Sequence, residues 1–330
     1  MLKLAIIGTG GIVKEALAAL REVSEIECTA IWAREHSRKQ AESLAAEQGI
    51  KNIYTDYAAL LQEDEADFVY IGLVNSAHYE YAKTALLAGK NVIVEKPFTS
   101  TLEEAQELVE LARSRHLFLF EAITLLHLPN FMAIRQALPQ IGNVRMVQCN
   151  FSQYSSRYDK YREQETAPAF NPELSGGALY DINIYNLHFV IALFGRPQTV
   201  TYTANIGFNG IDTSGVVVLR YQGFAAVCIG AKDSGSPSGL LIQGEDGYIS
   251  VPGTPNALEF FTLYAGEKTL PENHNRYKHR MVHEFAQFAK LYQEEDYESC
   301  EKYMKHSLLV MECVVKARLS AGIRFAADHK

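Results

Sequence analysis

The sequence predicts an α/β protein of two domains: a doubly wound parallel sheet over residues 1–122, then an α+β domain with a mostly antiparallel sheet over residues 123–330. Three observations predict it. Short β-branched apolar runs alternate with helix-period segments from Lys3 to Glu121, the pattern of parallel strands covered on both faces. From Ile123 this rhythm gives way to a helix, a polar aromatic loop, a second helix and then several alternating strands in succession. A chain of 330 residues is also long enough to bury a sizeable core in each of two domains.

Composition narrows the partners. The formal net charge is −8, spread along the chain, and a nucleic-acid partner would want a basic face. No apolar run is expected to approach transmembrane length, and the chain opens directly into a strand, Lys3–Ile7, without a charged-then-apolar leader. The five cysteines (28, 149, 228, 300 and 313) are widely spaced and contain no CxxC, as in reduced core thiols of a cytoplasmic protein.

Strand Leu4–Ile7 runs into Gly8-Thr9-Gly10-Gly11-Ile12-Val13, followed by a helix with Ile12, Ala16, Ala19 and Leu20 on its apolar face. Gly8 permits a tight turn, and Gly10 lets a pyrophosphate approach the amides of a helix N-terminus. Gly8, Thr9, Gly10, Gly11 and Ile12 are therefore expected to bind a dinucleotide, with Val13 standing where the fingerprint has a third small residue. No Lys-Ser/Thr follows the glycines, so a Walker loop is excluded. The next strand, Glu27–Trp32, ends in Ala33-Arg34-Glu35-His36-Ser37-Arg38 instead of the acid that would hold a ribose 2′-hydroxyl. Arg34 and Arg38 suit a 2′-phosphate, which favours NADP over NAD; a pair of solvated arginines is the plainer alternative.

A helix over Ser37–Gly49 and a strand at Phe68–Gly72 come next. Leu73, Asn75 and His78 follow that strand's end and are expected to line the cofactor, although a histidine at a helix start is as often a cap. After helix Tyr79–Ala88 comes Asn91-Val-Ile-Val-Glu-Lys-Pro-Phe98, a buried strand stopped by Pro97. Glu95 and Lys96 thus lie at the carboxyl end of a central strand, where open α/β sheets bind ligands. These eight residues alone fit equally a lysine that pairs with an acid. Ser100–Glu103 reads as a capping box for a helix to Arg115, and strand Leu117–Glu121 closes the repeat.

In the second domain the informative helix is Gly177–Phe194. Ile182, Phe189, Ile191, Leu193 and Phe194 supply its packing, while Asp181, Tyr185 and His188 fall on one stripe at i, i+4 and i+7. A buried polar network or a subunit contact would explain the stripe as well as a catalytic site does. Strands Val144–Phe151, Thr199–Asn205, Val216–Tyr221, Ala225–Ile229, Leu240–Gln243 and Leu258–Leu263, with closing helices Met281–Tyr292 and Cys300–Ser320, complete the domain. A broad sheet commonly buries one face in a partner, so a homodimer or homotetramer is expected. No HExxH or ligand-spaced cluster calls for a metal.

The strand-GxG start, Glu95-Lys96-Pro97 and Gly176-Gly-Ala-Leu-Tyr-Asp-Ile-Asn-Ile-Tyr185, in this order, resemble the glucose–fructose oxidoreductase / inositol dehydrogenase / rhizopine-catabolism (Gfo/Idh/MocA) family over essentially the whole chain. The resemblance implies an N-terminal Rossmann domain and a C-terminal domain with a large open sheet. It also implies pyridine-nucleotide redox chemistry on sugars, polyols or related diols. The family's catalytic lysine carries onto Lys96, its acid onto Asp181, and its His/Tyr position onto Tyr185. Asn183 departs from a usual glycine, and Leu73-Val74 from a Thr-Pro-like pair. On this basis Tyr185 is the expected general base and acid, with Lys96 beside it and Asp181 orienting the substrate hydroxyls or the lysine. Glu121, His127, Arg157, Tyr158 and His188 are expected as further substrate contacts. A nucleotide-sensing regulator on the same fold is the competing expectation.

Overall fold

The computed structural model describes residues 1–266 and 271–329. The chain forms two compact units: unit 1 is Met1–Ala122 with His279–Leu308, and unit 2 is Ile123–Lys278 with Leu309–Lys330. The segment His279–Leu308, assigned to the second domain from sequence, packs within unit 1.

Unit 1 begins as a βα repeat: β1 (Leu2–Ile7), α1 (Gly11–Leu20), β2 (Ile26–Trp32), α2 (Arg38–Gln48), β3 (Asn52–Tyr54) and α3 (Tyr57–Glu63). It continues with β4 (Phe68–Ile71), α4 (His78–Leu87), β5 (Asn91–Glu95), α5 (Leu102–Arg115) and β6 (Leu119–Ala122). The strands form one parallel sheet in the order β3-β2-β1-β4-β5-β6. Strand order therefore reverses between β1 and β4, and the crevice above their carboxyl ends is the topological switch point. β4, β5 and β6 are buried along their whole length, which is why β4 and the centre of β5 read as apolar runs.

One local expectation shifts. The capping box that starts α5 is made by Thr101 and Glu104, one residue later than Ser100–Glu103. Thr101 Oγ1 accepts the Glu104 amide at 3.2 Å, and Glu104 Oε2 accepts the amides of Ser100 (2.9 Å) and Thr101 (3.3 Å). Thr101 is the last extended residue, so its hydroxyl, not that of Ser100, reaches the first turn. β3 and α3 are too short to give a periodic signal.

Unit 2 contains α6 (Pro129–Ala137), β7 (Val144–Ser152), α7 (Tyr158–Arg162) and a π-helical turn, Leu179–Asn183, that runs into α8 (Ile184–Phe194). Strands β8 (Thr199–Ile206), β9 (Asp212–Arg220), β10 (Ala225–Ala231), β11 (Gly239–Gly244), β12 (Gly247–Pro252), β13 (Phe261–Ala265) and β14 (Pro271–Glu272) follow. The sheet order is β14-β13-β12-β11-β7-β10-β9-β8, antiparallel except for the parallel pair β7–β10. The chain then returns to unit 1 as α9 (Arg280–Gln293) and the first half of α10 (Tyr297–Ser320). There α9 lays Phe285 against Tyr70 (5.7 Å between centroids), Phe288 on Phe120 (4.5 Å, stacked) and Tyr292 edge-on to Phe68 (5.1 Å). Each ring buried this way is worth about 1.5–3 kcal/mol of transfer energy.

The two faces of the unit 2 sheet differ. Val147, Cys149, Val217, Leu219, Ala226, Cys228, Leu240, Ile242 and Ile249 are buried. On the opposite face Val218, Val227, Gln148, Leu241 and Ser250 form one row across five strands by register. In neighbouring rows Ile229 is 37% exposed and Tyr248 is 40% exposed, with the Tyr248 ring stacked on Tyr264 at 4.2 Å. One expectation is corrected here. The helical run Pro172–Phe194 does reach membrane-span length, with mean hydropathy 1.2, because it is a core helix whose apolar window is 78% buried inside the protein.

The π-turn breaks the expected simple stripe, since its wider winding inserts a residue ahead of α8. Asn183 sits at this turn, fully buried, donating to Cys228 O at 3.0 Å and accepting from Asn186 Nδ2 at 2.8 Å. A Cβ on Gly230 of β10 would lie 2.5 Å from Asn183 Cβ, so the asparagine is accommodated by a glycine across from it. Gly230→Val should therefore destabilise the protein by about 1–3 kcal/mol, measured as a lower urea midpoint at unchanged slope.

Candidate active site

In unit 1 the candidate residues gather at the carboxyl ends of β1, β4 and β5. Gly8 adopts φ +117, and a Cβ there would come 2.6 Å from Gly72 O, so only glycine closes this turn. Gly10 and Gly11 are exposed, and a Cβ on either would meet nothing within 4 Å. α1 starts at Gly11 with no side-chain cap on its first amides. This cradle fits the pyrophosphate of a dinucleotide. Val13, at the third fingerprint position, is fully buried, and a Cβ on Gly72 would lie 2.6 Å from Val13 Cγ2. The bulk added to the helix is thus offset by a glycine on the facing strand.

Thr9 is tied to α2, its carbonyl accepting from Gln40 Nε2 at 2.9 Å. Arg34 is exposed on the turn after β2. Arg38 instead shares its charge with Glu42 (3.2 Å) and Glu35 (3.9 Å). Leu73 and Asn75 are half-buried on the loop after β4. His78 is buried, and its ring nitrogens face two carbonyls: Nδ1 lies 2.8 Å from Pro97 O and Nε2 lies 3.2 Å from Leu73 O. It staples the β4 loop to the Lys96–Pro97 segment, while burial pulls its pKa below the ordinary value.

Lys96 is half-buried, and its bond to Pro97 is cis. Beneath it Glu95 is 4% exposed and accepts a hydrogen bond from the Tyr70 hydroxyl at 2.7 Å. Burial pushes the Glu95 carboxyl up to about 7, against the opposing pull of Tyr70, Lys96 and Arg280. Glu284 of α9 is fully buried, with no hydrogen bond to either carboxylate oxygen. Burial and the neighbouring Glu95 hold it well above the carboxylate range. Glu121 is buried on β6 and accepts from the Ser307 hydroxyl at 2.6 Å.

In unit 2 the helix starts against a borrowed acid. Asp212 of β9 is buried and accepts the Leu179 amide at 2.6 Å and the Tyr202 hydroxyl at 2.7 Å. Asp181, on the π-turn, is half-buried and forms an ion pair with the buried ammonium of Lys232. Lys232 Nζ also lies 4.9 Å over the Phe170 ring, which contacts Tyr158 at 5.8 Å. Tyr185, on α8, is buried with its ring 6.0 Å from that of Phe151. Within unit 2, Asp181 therefore lies with Lys232, Phe170 and Tyr158. His188 is fully buried, His127 is half-buried at the end of a 3₁₀ turn, and Arg157 is exposed at the start of α7. Among the described residues no cluster of three His, Cys, Asp or Glu side chains is placed to hold a metal.

Comparison with known proteins adds the lineage. Residues 2–122 match a family described as "Oxidoreductase family, NAD-binding Rossmann fold", and residues 131–250 match the "GFO/IDH/MocA C-terminal domain". The chain belongs to the Gfo/Idh/MocA oxidoreductase family. It is 33% identical to a scyllo-inositol 2-dehydrogenase (NADP(+)) of Bacillus subtilis over 100% of both chains. It is 30% identical to a trans-1,2-dihydrobenzene-1,2-diol dehydrogenase of Danio rerio, covering 76% of this chain and 74% of that one. In fold it is similar to a 3-ketoreductase from Actinomadura kijaniata in complex with NADP and TDP-benzene, with TM-score 0.83, 22% identity and 97% of each chain covered.

Lys232 and Asp212 of this Gfo/Idh/MocA member are not among the residues that the sequence motifs single out. A usable signal existed for Lys232. Ala226, Cys228 and Gly230 alternate on the buried face of β10, and the same period carries Lys232 inward just past the strand's end. Asp212 gave no comparable signal, because its role depends on a helix distant in sequence.

The buried Glu95 predicts a pH dependence. Its ordinary value is 4.5 and its folded value about 7, so between these the folded chain retains a proton that the unfolded chain has released. Stability should fall as pH rises through that window. Glu95→Gln should flatten the fall, changing the difference between urea-derived stabilities at about pH 5 and about pH 8 by about 1–3 kcal/mol.

Proposed function

We propose that this chain is an NADP-dependent oxidoreductase that moves a hydride between nicotinamide and a hydroxyl or carbonyl carbon of a sugar, polyol or trans-diol. The observation that carries the reading is Lys96, half-buried at the carboxyl end of β5, on the same sheet edge as the open glycine cradle of β1. NADP, when bound, supplies the hydride acceptor or donor.

The chain's own residues handle the rest. The amides at the start of α1 hold the pyrophosphate, and exposed Arg34 takes the 2′-phosphate in preference to Arg38, whose guanidinium is already shared with two glutamates. In the oxidation direction Tyr185 takes the substrate hydroxyl proton, and the positive charge of Lys96 favours both the phenolate and the developing alkoxide. In reduction Tyr185 returns the proton. Asp181 accepts a neighbouring substrate hydroxyl. Leu73, Asn75 and His78 hold the cofactor loop, and Tyr158 and Arg157 edge the substrate side in unit 2. A nucleotide sensor would need neither a proton donor nor a hydroxyl acceptor.

The exposed apolar rows of the unit 2 sheet support a homo-oligomer formed across that face. Free thiols at all five cysteines fit a cytoplasmic setting.

With NADP+ and a panel of scyllo-inositol, xylose and trans-1,2-cyclohexanediol, nicotinamide absorbance should report turnover. NADP+ should be preferred over NAD+ by about tenfold or more in kcat/KM, a preference lost in Arg34→Glu. Lys96→Met should lower kcat by about 10²–10⁴ while NADPH affinity, read by fluorescence, stays within about threefold. Undiminished turnover in that variant removes the mechanism, and binding without turnover on every compound favours the sensor. Val227→Lys should reduce the solution mass to that of one chain, measured by sedimentation.

A further inference from the structure

Lys232 is a buried cation that the proposed chemistry leaves unused. It is 4% exposed, and an ammonium at that depth is costly unless a charge and hydrogen bonds compensate it. Its backbone is fixed on both sides: its amide donates to Thr213 O at 2.9 Å, and its carbonyl accepts the Ser155 amide at 2.9 Å. Its Nζ pairs with Asp181 Oδ2 and lies over the Phe170 ring. The other buried acid near it, Asp212, is already bonded to the Leu179 amide and the Tyr202 hydroxyl. The ammonium is thus directed to the half-buried Asp181. Stability alone is a poor reason for such a pair, since an apolar side chain of the same volume commonly does as well. A carboxylate has about four lone-pair sites, and Asp181 is only half-buried, so its carboxylate stays open to a ligand's hydroxyl.

We propose that Lys232 is a positioning residue of the substrate site: its ion pair fixes the Asp181 carboxylate as acceptor for the hydroxyl adjacent to the reacting carbon, so that a vicinal diol is selected over an isolated alcohol. The inference rests on the oxidoreductase reading and deepens it by naming a specificity device. No bond is made or broken at Lys232. It acts through Asp181, whose orientation would otherwise vary among the rotamers of an unrestrained side chain.

The test uses the full chain, NADP+ and two probes, scyllo-inositol and cyclohexanol. Lys232→Met should raise the KM for scyllo-inositol about tenfold or more, with kcat changed less than about threefold. The dissociation constant of scyllo-inositol from the NADP+-loaded protein, measured by calorimetry, should rise in parallel. Cyclohexanol, which has no adjacent hydroxyl, should be affected in neither parameter. Asp181→Asn should reproduce the KM effect, the double variant should be no worse than the weaker single one, and Lys232→Arg should recover most of the loss. If Lys232→Met does not fold, Lys232→Gln, which is polar but uncharged and one atom too short to reach Asp181 in the same way, is expected to give the same KM rise. A KM within about twofold of the parent in these variants, or additive losses in the double variant, overturns the proposal while the oxidoreductase reading stands. A parent chain that neither binds nor oxidises scyllo-inositol overturns the polyol reading and this inference with it.

Discussion

The helix that bears Asp181 and Tyr185 begins on a carboxylate that is not its own, and much of unit 2 is arranged to keep that carboxylate in place. Asp212 reaches the Leu179 amide from β9, where a negative charge at a helix start is favoured by the unsatisfied amides and the helix dipole. Gly177 makes the approach geometrically feasible. It adopts φ +103, and a Cβ there would lie 2.1 Å from Asp212 Oδ1. Burial pushes the Asp212 carboxyl up, while the hydrogen bonds from Tyr202 and Leu179 and the charge of Lys232 pull the other way. The result is an alternating series of helix amides, Asp212, Lys232 and Asp181, in which each charge faces an opposite one.

Unit 1 follows the same logic with backbone in place of side chains. At Gly8 and Gly72 the absence of a Cβ is what leaves room, for the turn and for the Val13 side chain, while the space around Gly10 and Gly11 is open. His78 then ties two loop ends through their carbonyls. The Lys96 segment is thereby flanked by the Glu95–Tyr70 hydrogen bond and by an imidazole whose pKa burial lowers. Both units carry their candidate residues where regular structure ends or is interrupted: strand ends in one, a π-turn in the other. Such places leave polar backbone and side-chain groups available for ligands.

Most of the fold was legible because it rests on local patterns. The buried strands of unit 1 announce themselves as apolar runs, the alternating strands of unit 2 as period-two segments, and the glycine turn as a motif. What escaped depends on distance in sequence. Asp212 acts on a helix whose first turn lies far upstream, and the partnership of Asn183 with Gly230 involves two residues that are individually unremarkable. The stripe of Asp181, Tyr185 and His188 was visible, but the π-turn that shifts its phase was not, since an inserted residue leaves no composition signal. Lys232 was legible in principle through strand alternation, yet a lysine after an apolar run reads first as the strand's solvated end. The Ser100–Glu103 pattern shows the converse, a correct motif displaced by one residue because two hydroxyls stood side by side.

The return of α9 to unit 1 has an architectural cost. Phe68, Phe118 and Phe120 of the parallel sheet are covered by Phe288, Tyr292 and Tyr297, residues synthesised after nearly all of unit 2. During translation the nascent nucleotide-binding half must wait, with a bare aromatic surface, for the chain to come back. A single genetic cut cannot liberate either half intact, so shuffling these modules between proteins requires two crossovers, and a fusion that ends at Ala122 inherits an adhesive face in place of a finished one.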